Sequence, residues 1–413
     1  MGAGAGASVI WDPAVLGYRF SPSHPMDPIR LELTVDLARS LGVLDDVEAL
    51  RPGPFDDTEL LRIHSGDYID AVRAAGRIGA DRPSAARVLA AYGLGNDDNP
   101  IFAQVHEAAA SIVGSTLAGA REIAQGRAVR AVSIAGGMHH AMRTHASGFC
   151  VYNDVAVAIS WLLDNGFDRI AYIDVDAHHG DGVQAAFWDD PRVLTVSLHE
   201  DPRRLWPGTG YPSELGGPQA RGEAVNVPVP SGCPDRLWLR AFDAVVPSVV
   251  RAYRPQIIVS QCGCDSHRTD PLTDLALTVD GQRAAVYAMR DLADELCDGR
   301  WLAVGGGGYQ VVNVVPRIWT HLLAAGLGRD VAPETVIPSE WVGTVASHLP
   351  TRLTRCDPLP TTMGDGADLA FTRWEPGGDP ADTSIDAVAD RFVGRARAAV
   401  FPLHDLDPED PRD

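Results

Sequence analysis

With 413 residues, 45% of them hydrophobic, the chain can bury one large α/β core, and no apolar run approaches the roughly 18–20 residues that span a bilayer. A formal charge of −20 without any basic block opposes binding to nucleic acid or to a membrane surface. All 35 Lys+Arg residues are arginine, which excludes Schiff-base chemistry on a lysine and the lysine of a phosphate loop; six cysteines with no CxxC pair point to a reduced compartment.

The start, "MGAGAGASVI", lacks a basic region ahead of an apolar stretch and is expected to be an unprocessed cytoplasmic beginning. A helix is predicted over 101–125, followed by the strand-like run "VRAVSIAG" (129–136) and a helix over 153–165. Further strand-like runs are "RIAYIDVD" (169–176), "RVLTVSLH" (192–199), "PQIIVSQCG" (255–263) and "WLAVGGGG" (301–308), with helices predicted over 235–252 and 280–298. This alternation predicts an α/β fold: a mostly parallel sheet sandwiched by helices. From about 345 the composition turns to Pro, Gly, Asp and Thr, so the expected division is a catalytic domain over 1–345 and an extension over 346–413, packed on it or loosely attached.

Polar clusters follow the strand-like runs: His139 and His140 after the first, Asp176 and His178 after the second, then His199, Asp265 and Tyr309. Open parallel sheets bind ligands at the carboxyl edge, so these side chains are expected to share one site. In "IDVDAHHGDG" (173–182), Asp174, Asp176 and His178 stand two apart and leave the sheet on one side. Two carboxylates and an imidazole aimed together suit a divalent cation, with Asp265 as third ligand beside Asp176 and His178. His139 and His140 are candidate proton acceptors, and the surplus carboxylates Asp174 and Asp181 are candidates to orient them. "GGGGYQ" (305–310) fits neither dinucleotide nor phosphate-loop patterns. Its glycines allow Tyr309 either to enter the site or to serve as a structural residue in a tight turn.

Taken together, "SHPMDPIR", "GLGNDDNPIF", "GGMHHA", "GFCVYND", "IDVDAHHGDGVQ", "SLHE", "WPGTG", "QCGCDSHRTDPL" and "GGGGY" resemble, in order and spacing, the zinc-dependent histone-deacetylase-like enzymes of the arginase/deacetylase superfamily. The acetoin utilisation branch is the most similar, and the resemblance runs from about residue 8 to 325. It implies a single-domain arginase/deacetylase fold and hydrolysis of Nε-acyl-lysine, foremost acetyl-lysine, in proteins. It further implies zinc on Asp176, His178 and Asp265, His140 as general base and acid paired with Asp181, and His139 as an electrostatic partner paired with Asp174. Tyr309 would hold the scissile carbonyl, Asp98 would grip the substrate backbone, and Phe149 and Trp206 would wall the acyl-lysine tunnel, lined also by Gly148, Gly307 and Leu272. A structural potassium ion is implied at Asp174, His178, Ser197 and Leu198, and a second monovalent site in the segment of Phe187 and Val193. Arg30 matches an arginine near an acetate-release channel.

The expected partner is an acetylated metabolic enzyme such as acetyl-CoA synthetase. An acetylpolyamine amidohydrolase is the alternative: the acidic field would attract polyamines, whereas the apolar Leu272 disfavours them. Binuclear manganese relatives carry aspartates where Gly180 and Gly263 stand here, so one metal is expected. Met138 departs from the aromatic common before the histidine pair, and Arg203, Arg204 and Arg268 make the rim arginine-rich. A non-catalytic reader of acyl-lysine would lack a ligand or the base, yet every such position is filled.

Overall fold

The computed structural model describes residues 6–53, 55–78, 88–348 and 358–413. Seven parallel strands form one sheet: β1 (Gly6–Val9), β2 (Ala128–Ser133), β3 (Ile170–Asp174), β4 (Val193–Glu200), β5 (Ala224–Val229), β6 (Ile257–Gln261) and β7 (Trp301–Val304), in the order β1-β2-β7-β6-β3-β4-β5. β3, β4, β5 and β6 are buried throughout, as expected for a parallel sheet covered on both faces. From β3 the chain winds outward through β4 to β5, then returns to β6 on the other side of β3 and continues to β7. The reversal lies between β3 and β6, where Asp174 pairs in register with Gln261, and such a switch point opens a crevice at the carboxyl ends of the strands.

The helices are α1 (Ile29–Ser40), α2 (Gly66–Ile78), α3 (Val105–Ala124), α4 (Asp154–Asp164), α5 (Asp181–Ala186), α6 (Asp235–Tyr253), α7 (Val279–Leu296), α8 (Val315–Gly326), α9 (Ser339–His348) and α10 (Ile385–Val400). No helix among the described residues is long and apolar enough to cross a membrane. Side-chain caps fix the starts that matter for the site: Asn153 accepts from Ala156 N at α4 and Thr278 from Gly281 N at α7.

The stretch whose composition suggested a loose surface extension is ordered in its described part. α10 lies on α6 and β5, with Arg236 paired to Asp386 and Arg240 to Asp390. The Arg397 guanidinium is fully buried between the rings of Trp374 and Phe401 and donates to the carbonyls of Ala244, Pro408, Asp410 and Asp413. Asp365 pairs with Arg317 and accepts from His267, which ties this segment to the loop that follows β6.

Candidate active site

β3 ends at Asp174, and the next residues leave the sheet into the crevice. Asp174, Asp176 and Asp265 are buried, and the His178 side chain is 11% exposed. His178 Nδ1 lies 2.9 Å from Asp265 Oδ2 and 3.2 Å from Asp176 Oδ1, and one ligand atom from each of the three residues falls within 4.8 Å of the others. The remaining carboxylate oxygens are engaged by donors from the end of β6 and from the segments that follow β3 and β7. Asp176 Oδ2 accepts from Gln261 Nε2 at 2.7 Å and Gly307 N at 2.8 Å, and Asp265 Oδ1 accepts from Ala177 N at 2.8 Å.

His139 and His140 sit on the loop after β2, with ring centroids 3.9 Å apart. Asp154, at the start of α4, holds that loop by accepting from the backbone N–H groups of Gly137 and Met138. His139 Nδ1 donates to Asp174 Oδ2 at 2.8 Å and His140 Nδ1 donates to Asp181 Oδ1 at 2.7 Å. Because an ionised carboxylate only accepts, each Nδ1 carries the proton and each Nε2 faces away from its aspartate. Burial opposes charge on both rings. For His139 the carboxylates of Asp174 and Asp176 prevail and push it up to about 9; for His140 burial and repulsion from His139 hold it down to about 4. The two rings are thus biased in opposite directions, His139 toward the charged form and His140 toward the neutral one.

The mouth is aromatic. The Trp206 ring stands 4.6 Å from that of His140 and 6.2 Å from that of His178, and Trp206 is 45% exposed. Phe149 adopts a left-handed backbone (φ 66°), its carbonyl takes the Tyr18 hydroxyl, and its ring meets Tyr309 edge-on at 5.7 Å. A β-carbon at Gly148 would overlap both His140 and Trp206, and one at Gly307 would overlap the carboxylates of Asp265 and Asp176. Both positions need glycine for close approach. Tyr309 N and Leu272 N both donate to Asp270, whose carboxyl is pushed up to about 8 by burial and by the charge of Asp265. Leu272 lies exposed at the surface; Asp98 is also exposed, and its carbonyl approaches His24, whose ring packs on Phe149. Arg30 is buried over Trp319 and donates to Gly308 O at 2.8 Å.

A family model for the histone deacetylase domain matches residues 24–326. The chain belongs to the histone deacetylase family. Within that family it is 39% identical over 362 residues to the acetoin utilization protein AcuC of Bacillus subtilis (strain 168), covering 87% of this chain and 90% of the relative. It is 38% identical over 328 residues to AcuC of Staphylococcus xylosus, covering 79% and 84%. A solved HDAC homolog complexed with SAHA superimposes with a TM-score of 0.79 at 28% identity, over 94% of this chain and all of the other, and an HDAC homolog from Aquifex aeolicus with 0.78 at 28%, over 94% and 99%. The protein is thus a histone-deacetylase-family hydrolase of the AcuC type with the arginase/deacetylase fold.

In this family member the donor set fits a divalent cation. Two carboxylates facing one imidazole nitrogen push His178 up to about 10 against its burial, so the surroundings favour positive charge at that point. Two carboxylates and one imidazole are hard and borderline donors, and no thiolate is among them. Side chains cannot be added at the two glycines without displacing their neighbours: a β-carbon at Gly180 would overlap Asp174, and one at Gly263 would overlap Asp176. Ser197 pairs in register with Asp174, and Leu198 follows it on β4, so both flank the site. Phe187 and Val193 do not; they bracket the turn into the amino-terminal end of β4, away from the carboxyl edge. Sequence reasoning passed over Gln261, Asp154, Asp270 and Tyr172, the last donating its hydroxyl to Asp174 at 2.5 Å. The only signal was position, since Asp154 and Asp270 stand inside motifs singled out for other residues.

Proposed function

We propose that the protein hydrolyses the side-chain amide of Nε-acyl-lysine in proteins, acetyl-lysine foremost, with zinc held by Asp176, His178 and Asp265. The observation that carries this reading is the pairing of His139 with Asp174 and His140 with Asp181 beside that ligand set, at the base of a mouth walled by Phe149 and Trp206. When bound, the cation supplies Lewis acidity toward the amide carbonyl and lowers the pKa of water toward ~7.

The chain's own residues do the rest. His140, neutral with its Nε2 free, accepts a proton from the attacking water while Asp181 stabilises the imidazolium, and the proton then passes to the departing lysine Nζ. His139, paired with Asp174, acts as the electrostatic partner; the Tyr309 hydroxyl donates to the carbonyl oxygen. Phe149 and Trp206 enclose the four-carbon stem, and Asp98 accepts from substrate backbone N–H groups at the rim. Water and amide give a carboxylate and a free amine. Arg30 is assigned to the departing carboxylate, and carbonyls near Asp174, His178, Ser197 and Leu198 to a potassium ion. The expected setting is cytoplasmic, with an acetylated enzyme such as acetyl-CoA synthetase as substrate.

The −20 charge favours acetylated polyamines as a second reading, and Leu272 at the mouth opposes it. Rates of the zinc-loaded enzyme on acetyl-, longer-acyl- and acidic-acyl-lysine peptides, set against acetylated polyamines, decide between them. Preference for the peptides is expected; preference for the polyamines overturns the assignment.

A further inference from the structure

His179 follows a metal-ligand candidate yet has no part in the proposed mechanism, and its surroundings give it another task. Its ring is buried and lies 4.9 Å from that of His199. Its Nε2 is 3.1 Å from Gln184 Oε1, an oxygen that also accepts from Asn226 Nδ2 at 2.8 Å. Since that amide oxygen can only accept, His179 Nε2 carries the proton, and Nδ1 must accept from the Thr209 hydroxyl 2.8 Å away. Gln184 Nε2 continues to Glu214 Oε2 at 2.9 Å, and Glu214 Oε1 accepts from Gly210 N and Tyr211 N at 2.9 and 3.0 Å. From the sheet side, His199 Nε2 donates to Gly210 O at 2.9 Å.

These bonds grip one short loop. A β-carbon at Gly210 (φ 90°) would overlap both imidazoles, so the loop backbone lies directly against the two rings. The same loop begins with Trp206, whose ring faces His140. We infer that His179, through Thr209 and Gln184, is a positioning residue that fixes the Trp206 wall and thereby the width of the acyl pocket. Buried polar networks of this kind specify one arrangement, because each partner left unbonded carries a desolvation cost. The inference rests on the acyl-lysine reading for its substrate consequence, whereas the anchoring itself does not depend on it.

Thr209→Val removes the hydroxyl at constant shape, Thr209→Ser keeps it, and His179→Phe keeps a ring without hydrogen bonds. Amide hydrogen exchange of residues 206–214 in the metal-free protein reads the anchoring, and kcat/KM on acetyl- against butyryl-lysine peptides reads the wall. Thr209→Val is expected to speed exchange in this segment, lower kcat/KM for the acetyl peptide about five- to tenfold and shrink the acetyl preference, with Thr209→Ser close to wild type. Should His179→Phe fail to fold, the Thr209 pair still decides. Unchanged exchange overturns the inference, as does faster exchange with an unaltered acyl-length preference. If the wild-type enzyme cleaves no acyl-lysine peptide, the substrate reading falls while exchange still decides the anchor.

Discussion

His139 and His140 are adjacent, alike in their Nδ1 bond to an aspartate, and opposite in proton affinity, about 9 against about 4. The difference is one of neighbours: His139 faces the fully buried Asp174 and Asp176, whereas His140 faces Asp181 and the positive charge of His139 itself. Tyr309 is the residue proposed to hold the scissile carbonyl. Tyr309→Phe is expected to lower kcat by roughly 10² with KM little changed, as for loss of one oxyanion donor; turnover near wild type would refute the role. Gly307→Ala places a methyl against both ligand carboxylates, so zinc affinity should fall at least tenfold in a competition titration with a chromophoric chelator. An affinity equal to wild type would show that the Gly307 loop can retreat. At this scale the sequence was informative where chemistry is concentrated, since alternation along "DVDAH" aligns ligands without knowledge of the fold. It gave no role to Gln261, because a lone amide at a strand end reads as a turn residue until the chain beside it is known.

Elements were legible where their pattern is local. The predicted strands 129–136, 169–176, 192–199, 255–263 and 301–308 overlap β2, β3, β4, β6 and β7, and all but the one at β4 run past the observed ends where the chain leaves the sheet to carry site residues. β1 is four residues long and starts in a Gly/Ala stretch, and in β5 Pro228 interrupts the alternating valines and argues against a strand. α8 is buried on every side, so its polar residues Arg317, Thr320 and His321 do not mark a solvent face. Conversely, α4 matches the helix predicted over 153–165, and the structure adds the cap that starts it. Asn153 accepts from Ala156 N, and its Nδ2 donates to the carbonyls of His139 and Ala141, so one side chain starts the helix and steadies the histidine loop. Asn153→Ala is expected to cost about 1 kcal/mol for the cap and somewhat more for the two orphaned carbonyls. Thermal melting should show a drop of a few degrees, and kcat should fall with it; a lowered melting temperature with unchanged kcat would confine Asn153 to the helix.

Across the whole molecule, the switch point between β3 and β6 collects carboxylates and imidazoles into one buried region, and the exposed arginine–carboxylate pairs add little stability individually. The carboxy-terminal segment, expected to be packed on the domain or loosely attached, is organised by one buried residue, Arg397, through main-chain carbonyls that composition does not reveal. Burial of imidazoles also sets the acid limit of the fold. His64 donates Nδ1–H to Met142 O and accepts from Asn153 N, His321 is buried against Met363 O, and desolvation holds both down to about 4. In the unfolded chain each binds a proton below about 6.5. Between about pH 6.5 and 4 the unfolded state thus holds more protons, and each such histidine withdraws stability as pH falls, by up to about 1.4 kcal/mol per pH unit. Asp270 and Glu223 work the other way: burial pushes them up to about 8 and about 7, so they withdraw stability as pH rises from about 4. A difference measurement separates the two sets. His321→Gln keeps a donor for Met363 O but does not titrate, so urea unfolding free energies at several pH values between 4.5 and 7.5 should fall less steeply with acid in the variant than in the wild type. Parallel lines for the two proteins would mean that His321 titrates in the folded state as it does in the unfolded one.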